Sequence, residues 1–258
     1  MSIKIQEDNE KLKIILCYPY PTQREFKRRI RELQDLGIRE ILLEGEKRIV
    51  DDLKVLGKGY EAVVVKAKDR NGRIVALKIK RVDYPKSMVK EAEITKIASK
   101  ENIAPKIYAY TDNIIVREYI EGKILVDWVK KASENEIRKI IFKIIEKAYK
   151  LDKLGINHKE LSRAPKHIII TEEMEPYIID FGAASKSDKP KNLTSITQYL
   201  LIRKGEIQEK IRKALNLTEK DIEQIISILR EYKRAKNPNE KEKAYKGLLQ
   251  YLQSKIKL

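Results

Sequence analysis

Cysteine is nearly absent from this chain. Cys17 is the only one in 258 residues, which excludes a disulfide framework and a Cys-based zinc site and points to a reducing, cytoplasmic setting. Long apolar runs are missing too: none approaches the roughly 20 residues a membrane helix needs. The charged start MSIKIQEDNEKLK lacks the apolar core of a signal peptide. Neither export nor a membrane partner is expected. No internal repeat and no low-complexity linker interrupts the sequence. A hydrophobic content of 42% suffices for the core of one moderate domain or two small ones.

What is abundant is positive charge. Lys and Arg number 56 against 39 Asp and Glu, a formal net charge of +17. The surplus is uneven: 11 basic residues face 9 acidic ones over 1–50, 27 face 21 over 51–185, and 18 face 9 over 186–258. A C-terminal field of that sign would attract RNA, a ribosome or an acidic protein, because cations that displace counterions from phosphates bind in a salt-sensitive way. The competing explanation is a surface covered by Lys–Glu charge networks, as in proteins of heat-loving organisms.

Residues 12–19, LKIILCYP, read as a strand. Thr22 then opens a helix with the capping arrangement Thr22-Gln23-Arg24-Glu25, the helix stops at Gly37, and REILLEG at 39–45 reads as a second strand. A strand-helix-strand extension is thus expected over the first 48 residues. On its helix Lys27, Arg28, Arg29 and Arg31 alternate with Glu25, Glu32 and Asp35 and read as a solvated face. From 51 onward DDLKVLG, EAVVVKAK and RIVALKIK, with a turn at Asn71-Gly72, read as an antiparallel meander. A helix over 86–99 and two strands, KIYAY and NIIVREYI, around Thr111-Asp112-Asn113 complete a small lobe of five strands and one helix. Beyond Gly122 the chain turns helical, over 123–131 and then from a Ser133/Glu136 capping box to about Leu154, with Gly155 as the stop. Short strands flank the next loop, and three helices are expected over 192–256.

Several stretches on this frame carry chemistry. In LGKGYEAVVV, Gly57 and Gly59 sit between two strands, where glycine lets backbone N–H groups come close to phosphate oxygens, although such a hairpin turn is commonly just structural. In VALKIK, alternation puts Val75, Leu77 and Ile79 on one face and Ala76, Lys78 and Lys80 on the other. A lysine on so apolar a strand is usually solvated. In the following SMVKEAEITKIA, however, Glu91 can reach back to Lys78 as an ion pair, with Glu93 as the competing partner and Ile94 and Ile97 on the packed face. IIDFGAAS sets Asp180 after an apolar strand, as a metal-chelating carboxylate or a mere surface turn. HKELSRAPKHIII offers Glu160, able to accept or orient a hydroxyl proton, and His167. Imidazole is a poor ligand for Mg²⁺ and suits Mn²⁺ or Zn²⁺ better, so His167 either binds such an ion or hydrogen-bonds a phosphate or water. Ser162, Arg163 and Lys166 lie between and put two cations in that loop.

In order and spacing these segments resemble the protein-kinase superfamily over about residues 51–202. The resemblance implies an α+β, bilobal fold with a small β-rich N-lobe over 49–118 and a mostly helical C-lobe over 119–258. The hinge would lie about 118–122, with lobe motion near Gly122, and the 1–48 extension would precede the N-lobe. It implies ATP contacts at Leu56, Gly57, Gly59, Val64, Ala76, Lys78, Glu118, Ile120 and Asp180. Val64 would cover the purine, while the Glu118 carbonyl and Ile120 amide would bind adenine. Lys78, held by Glu91, would contact the α- and β-phosphates, Glu160 would orient the acceptor hydroxyl, and Asp180 with His167 would bind Mg²⁺ or Mn²⁺. Arg117 would line the back of the pocket, where its charge must turn outward or find a carboxylate.

The departures from the family pattern are specific. Glu160 stands for the usual Asp, and Pro165 occupies the place of the usual Asn, so a two-residue insertion brings His167 to the position before the strand. Lys159 replaces the Arg that reads a phosphorylated activation loop, and neither an Ala-Pro-Glu motif nor a long activation segment follows Asp180. A narrower likeness is to a little-studied archaeal group of predicted atypical serine/threonine kinases, which share LGKGY, ALKIKR, MVKEAE, HKELS, KHIII and NLTSITQYL. In economy the chain is similar to the RIO-type kinases and the small kinase of the KEOPS complex. The function expected is an atypical serine/threonine protein kinase that phosphorylates itself or a limited set of proteins. The alternative is an ATPase or nucleotide switch acting with an RNA or ribosome-related assembly. A small-molecule kinase ranks last, because no acidic pocket for cationic substrates is visible.

Overall fold

The computed structural model describes residues 2–6, 9–50 and 53–256, with 163–165 described by their backbone alone. Asp51, Asp52 and the side chains of Arg163 and Pro165 therefore lie outside the described residues. The chain divides into two compact units, Met1–Lys100 with Pro105–Ile120, and Glu101–Ala104 with Glu121–Leu258.

The first unit contains β1 (Ser2–Lys4), α1 (Glu10–Leu16), α2 (Gln23–Asp35), β2 (Ile38–Leu42), β3 (Lys47–Arg48), β4 (Lys54–Val55), β5 (Gly57–Lys58), β6 (Ala62–Asp69), β7 (Ile74–Lys80), α3 (Val89–Lys100), β8 (Ile107–Tyr110) and β9 (Ile114–Glu118). Residues 12–19 are thus not a strand. The side chain of Asn9 accepts the Leu12 N–H at 2.9 Å and caps α1, whose Leu12, Ile15 and Leu16 form a buried stripe at i, i+3 and i+4. LKIIL fits both the strand and the helix period, and the cap decides between them. With β1 before it and α2 after it, the extension is strand-helix-helix-strand.

Pairing runs β1-β2-β6-β7-β9-β8, with β5 also on β6. The expected meander holds for β6 and β7, but the other neighbour of β7 is β9. One edge of β6 is shared: β5 takes its start, with Gly57 opposite Val64, and β2 takes its end, from Leu42 opposite Lys66 to Ile38 opposite Asp69. The extension therefore completes the sheet. One core holds Leu12, Ile15, Leu16, Phe26, Ile30 and Leu33 of the extension together with the sheet face formed by Val63, Val65, Val75, Leu77, Ile79 and Val116.

Arg29 was expected on a solvated face and is instead 1% exposed. Its Nη1 donates to the Leu16 carbonyl at 2.7 Å and to the Lys80 carbonyl, and its Nε pairs with Glu25 at 2.7 Å. A guanidinium can be buried when its donors meet acceptors in this way. Glu25 is consequently turned toward Arg28 and Arg29, while Thr22 caps α2 alone by accepting the Glu25 N–H at 3.3 Å.

The second unit contains β10 (Lys123–Ile124), α4 (Leu125–Lys131), α5 (Glu134–Lys153), β11 (Ile156–Asn157), a 3₁₀ turn (Leu161–Lys166), β12 (Ile168–Ile170), β13 (Pro176–Ile178), β14 (Ser185–Lys186), α6 (Asn192–Thr197), a π turn (Gln198–Ile202), α7 (Glu206–Ala214), α8 (Glu219–Arg234) and α9 (Pro238–Ile256). The capping box of Ser133 and Glu136 opens α5 as its sequence implies. Among the described residues four α-helices, not three, run from Asn192 onward, because the stretch breaks at Gly205, again at the Thr218 cap, and again before Pro238. Gly122 answers to packing: a Cβ there would lie 2.3 Å from the Ile170 carbonyl oxygen, so only glycine lets β10 approach β12. No helix among the described residues is long and apolar enough to cross a membrane.

Asp221 ties α8 to α9. Its carboxylate accepts from Thr218 at the cap, from the Tyr251 hydroxyl at 2.6 Å and from Lys255 at 2.6 Å. Burial opposes its ionisation, but the hydrogen bonds from Lys255, Thr218 and Tyr251 outweigh that and hold the carboxyl well below the usual range. A folded value below the unfolded one gives stability that is complete above about pH 4 and is lost as pH falls through the folded value. Asp221→Ala is expected to cost about 1 kcal/mol at pH 7 and to flatten the acid-side loss of stability, as measured by urea titrations from pH 7 to 2.

Candidate active site

In the first unit, register builds a row. Gly57 pairs with Val64, Val64 with Lys78, and Lys78 with Ile115, so these four residues line up across β5, β6, β7 and β9. Ala76 lies one step along the same face, opposite Lys66 and Arg117. This is the sheet face away from the core shared with the extension. Lys78 is 5% and Glu91 6% exposed, and Lys78 Nζ donates to both Glu91 carboxylate oxygens, at 2.7 and 2.8 Å. Glu93, two residues on along α3, is exposed. Burial of an ammonium is tolerable here because a carboxylate neutralises it.

The glycines of the loop are not demanded by the fold. Neither Gly57 nor Gly59 has a positive φ. A Cβ at Gly57 would meet only the Val64 side chain, at 3.6 Å, and one at Gly59 only the Ala62 carbonyl, at 3.8 Å. What glycine supplies at these positions is room for another group beside the backbone, which fits close approach by phosphate. Leu56 is half-buried between β4 and β5. Glu118 is fixed at both ends: its N–H donates to the Lys106 carbonyl at 2.8 Å and its carboxylate accepts the Lys106 N–H at 3.0 Å. Ile120, two residues on, is half-buried, whereas Arg117 is 9% exposed and does not turn outward.

In the second unit a hairpin does the assembling. β12 and β13 pair with Ile168 opposite Ile178, and the Ile179 N–H donates to the His167 carbonyl at 2.9 Å. The residue before one strand therefore meets the residues after the other, and His167 Nδ1 lies 3.9 Å from Asp180 Oδ2. Glu160 joins them: one ligand atom from each of Glu160, His167 and Asp180 lies within 4.8 Å of the other two. Asp180 sits at φ 67°, a left-handed conformation that Asp tolerates better than most residues. Ser162 is half-buried and Lys166 exposed on the 3₁₀ turn between.

Behind this cluster lies a buried network that sequence reasoning missed. His158 is fully buried, with Nε2 3.1 Å from the Ile179 carbonyl and its ring edge-on to Phe181 at 4.7 Å. Its backbone N–H donates to Asn192 Oδ1 at 2.9 Å. Asn192 Nδ2 donates in turn to Asp152 Oδ1 at 2.7 Å, and the Leu193 N–H and Tyr232 hydroxyl donate to Asp152 Oδ2 at 3.1 and 2.9 Å. Burial raises the Asp152 carboxyl, and the hydrogen bonds from Asn192, Leu193 and Tyr232 work against that rise. The signal for it was present: Asp152 continues the buried stripe of Ile141, Ile145 and Ala148 on α5, and a carboxylate on such a face needs donors.

A nitrogen lone pair beside two carboxylates is a donor set for a divalent cation. His167 Nδ1 is buried and has no hydrogen-bond partner among the described residues, which fits a nitrogen kept for a ligand. Imidazole nitrogen suits Mn²⁺ better than Mg²⁺.

The chain is 35% identical over 117 residues to an uncharacterized protein of Methanocaldococcus jannaschii, covering 45% of this chain and 98% of that one. It is 32% identical over 149 residues to a probable serine/threonine-protein kinase of Clostridium perfringens, covering 53% of this chain and 22% of that one. It is also 36% identical over 81 residues to a chain of Bacillus subtilis named for serine/threonine-protein kinase activity, covering 31% and 37%. The chain thus spans only a fraction of the two relatives that carry a kinase name. A family model described as the protein kinase domain matches residues 50–200, more than half of the chain and a stretch that takes in both Lys78 and Asp180. On that match the chain belongs to the protein kinase family.

Proposed function

We infer that the chain is an atypical, ATP-dependent serine/threonine protein kinase, transferring the γ-phosphate of ATP to a protein hydroxyl, its own among them. The observation that carries this reading is the convergence of Glu160, His167 and Asp180 to within 4.8 Å, with the buried His167 Nδ1 making no hydrogen bond among the described residues. Asp180 and His167 would hold the divalent ion. Bound ATP and metal supply a leaving group and neutralise charge on the phosphates.

The remaining work falls to the chain's own residues. Loop amides around Gly57 and Gly59 bind phosphate oxygens, and Lys78, kept straight by Glu91, contacts the α- and β-phosphates. Leu56, Val64 and Ala76 enclose the adenine, whose edge is bound by the Glu118 carbonyl and the Ile120 amide. Glu160 orients the acceptor hydroxyl and takes its proton, with one methylene more reach than Asp.

Glu160→Gln tests that role directly. The variant is expected to bind ATP as the wild type does and to transfer phosphate about 10²- to 10⁴-fold more slowly, because Gln keeps the shape and loses the base. An unchanged transfer rate in a single-turnover assay would remove Glu160 from the mechanism.

A further inference from the structure

The extension touches more than the back of the sheet. Arg29 donates to the carbonyl of Lys80, the last residue of β7, and the Val82 N–H donates to the Tyr18 carbonyl at 3.0 Å. Residues 80–82 are therefore bonded on both sides of Arg81 by the segment from 18 to 29. Arg81 itself stacks its guanidinium over the Tyr18 ring, 5.1 Å from the centroid, and is aligned by two bonds to Asp83, at 2.9 and 2.6 Å. Its remaining nitrogen, Nη1, donates to the carbonyl of Gly59 at 3.2 Å. Lys58, between the two loop glycines, places its ammonium over the same Tyr18 ring at 5.4 Å. One aromatic ring thus receives a cation from the glycine loop and a cation that holds that loop's backbone.

We propose that the extension positions the phosphate-binding loop through Tyr18 and Arg81, which act as positioning residues for nucleotide binding. This rests on the reading of Gly57 and Gly59 as phosphate contacts. The loop's backbone is tied to β6 by the β5 pairing and by the Gly59 N–H to the Ala62 carbonyl at 2.9 Å, but its glycines add no side-chain packing, so contacts from outside can narrow its conformations further. Arg81 and Tyr18 supply such contacts, and the loop then binds phosphate without first being ordered.

Full-length Arg81→Gln, Tyr18→Leu and Tyr18→Phe are compared with the wild type by amide hydrogen exchange over 57–61 without nucleotide, and by the Kd for ATP. Arg81→Gln is expected to speed loop exchange and weaken ATP binding by about tenfold, since it removes a charged donor and a stacked cation. Tyr18→Leu is expected to shift both by about threefold, and Tyr18→Phe, which keeps the ring, to match the wild type. Turnover at saturating ATP stays at the wild-type value, so the loss falls on binding, which a general loss of folded protein would not give. Loop exchange at the wild-type rate in Arg81→Gln and Tyr18→Leu overturns the proposal, as does faster exchange with unaltered ATP affinity. A wild type that binds no ATP overturns the nucleotide reading of the loop, and the exchange rates still decide whether the extension holds it.

Discussion

Asp180→Asn is expected to lower phosphoryl transfer by about 10³-fold while the melting temperature stays within a few degrees of wild type. The choice of Asn over Ala follows from the backbone. Asp180 sits at φ 67°, where Asn is accommodated nearly as well as Asp, whereas Ala would add a conformational penalty of about 1 kcal/mol. Asn therefore removes the charge and keeps the turn. The side chain is 43% exposed, so little packing is lost with it. What disappears is the carboxylate beside His167, and with it the charge proposed to hold a divalent ion against phosphate. Single-turnover transfer and thermal melting, measured on the same preparation, separate the two effects. A transfer rate within a few-fold of wild type would place the metal elsewhere.

Glu91→Ala is the second large effect, and it reaches stability as well as activity. Lys78 and Glu91 are both almost completely buried and bonded at 2.7 and 2.8 Å. Removing the carboxylate takes from a buried ammonium the two charged bonds at 2.7 and 2.8 Å, a change that costs about 3 kcal/mol. The double replacement Lys78→Met with Glu91→Leu removes both charges and is expected to recover most of that loss, because an apolar pair of similar volume needs no neutralisation. Activity is not expected to return, since the cation proposed to contact the α- and β-phosphates is gone. Urea denaturation and ATP-dependent transfer of the single and double variants check both statements. If the double variant were as unstable as Glu91→Ala, packing rather than charge would govern this site.

How much of this was legible in the sequence depends on the range of the interaction. Strands β6, β7 and β9 follow from alternation, and α5 from its capping box, because these signals are local. Lys78 and Glu91 lie 13 residues apart, and the reach from helix to strand was foreseeable once both elements were. The segment at 12–19 was misread because LKIIL satisfies two periods and the deciding Asn9 cap lies outside it. Arg29 was placed in solvent because its neighbours are charged, while the acceptors that bury it, Leu16 and Lys80, are backbone carbonyls with no sequence signature. Asn192 escaped notice for the same reason: its partners Asp152 and His158 are 40 and 34 residues away. The meeting of His167 with Asp180 was implied only by family resemblance, and the β12–β13 register now gives it a physical cause.

The most direct test of the account is incubation of the wild-type chain with γ-labelled ATP and Mg²⁺ or Mn²⁺, scoring label on protein and free phosphate separately. The account predicts label on protein Ser or Thr that is lost in Asp180→Asn and Glu160→Gln. Free phosphate released without protein label, or label undiminished in Asp180→Asn, would contradict it.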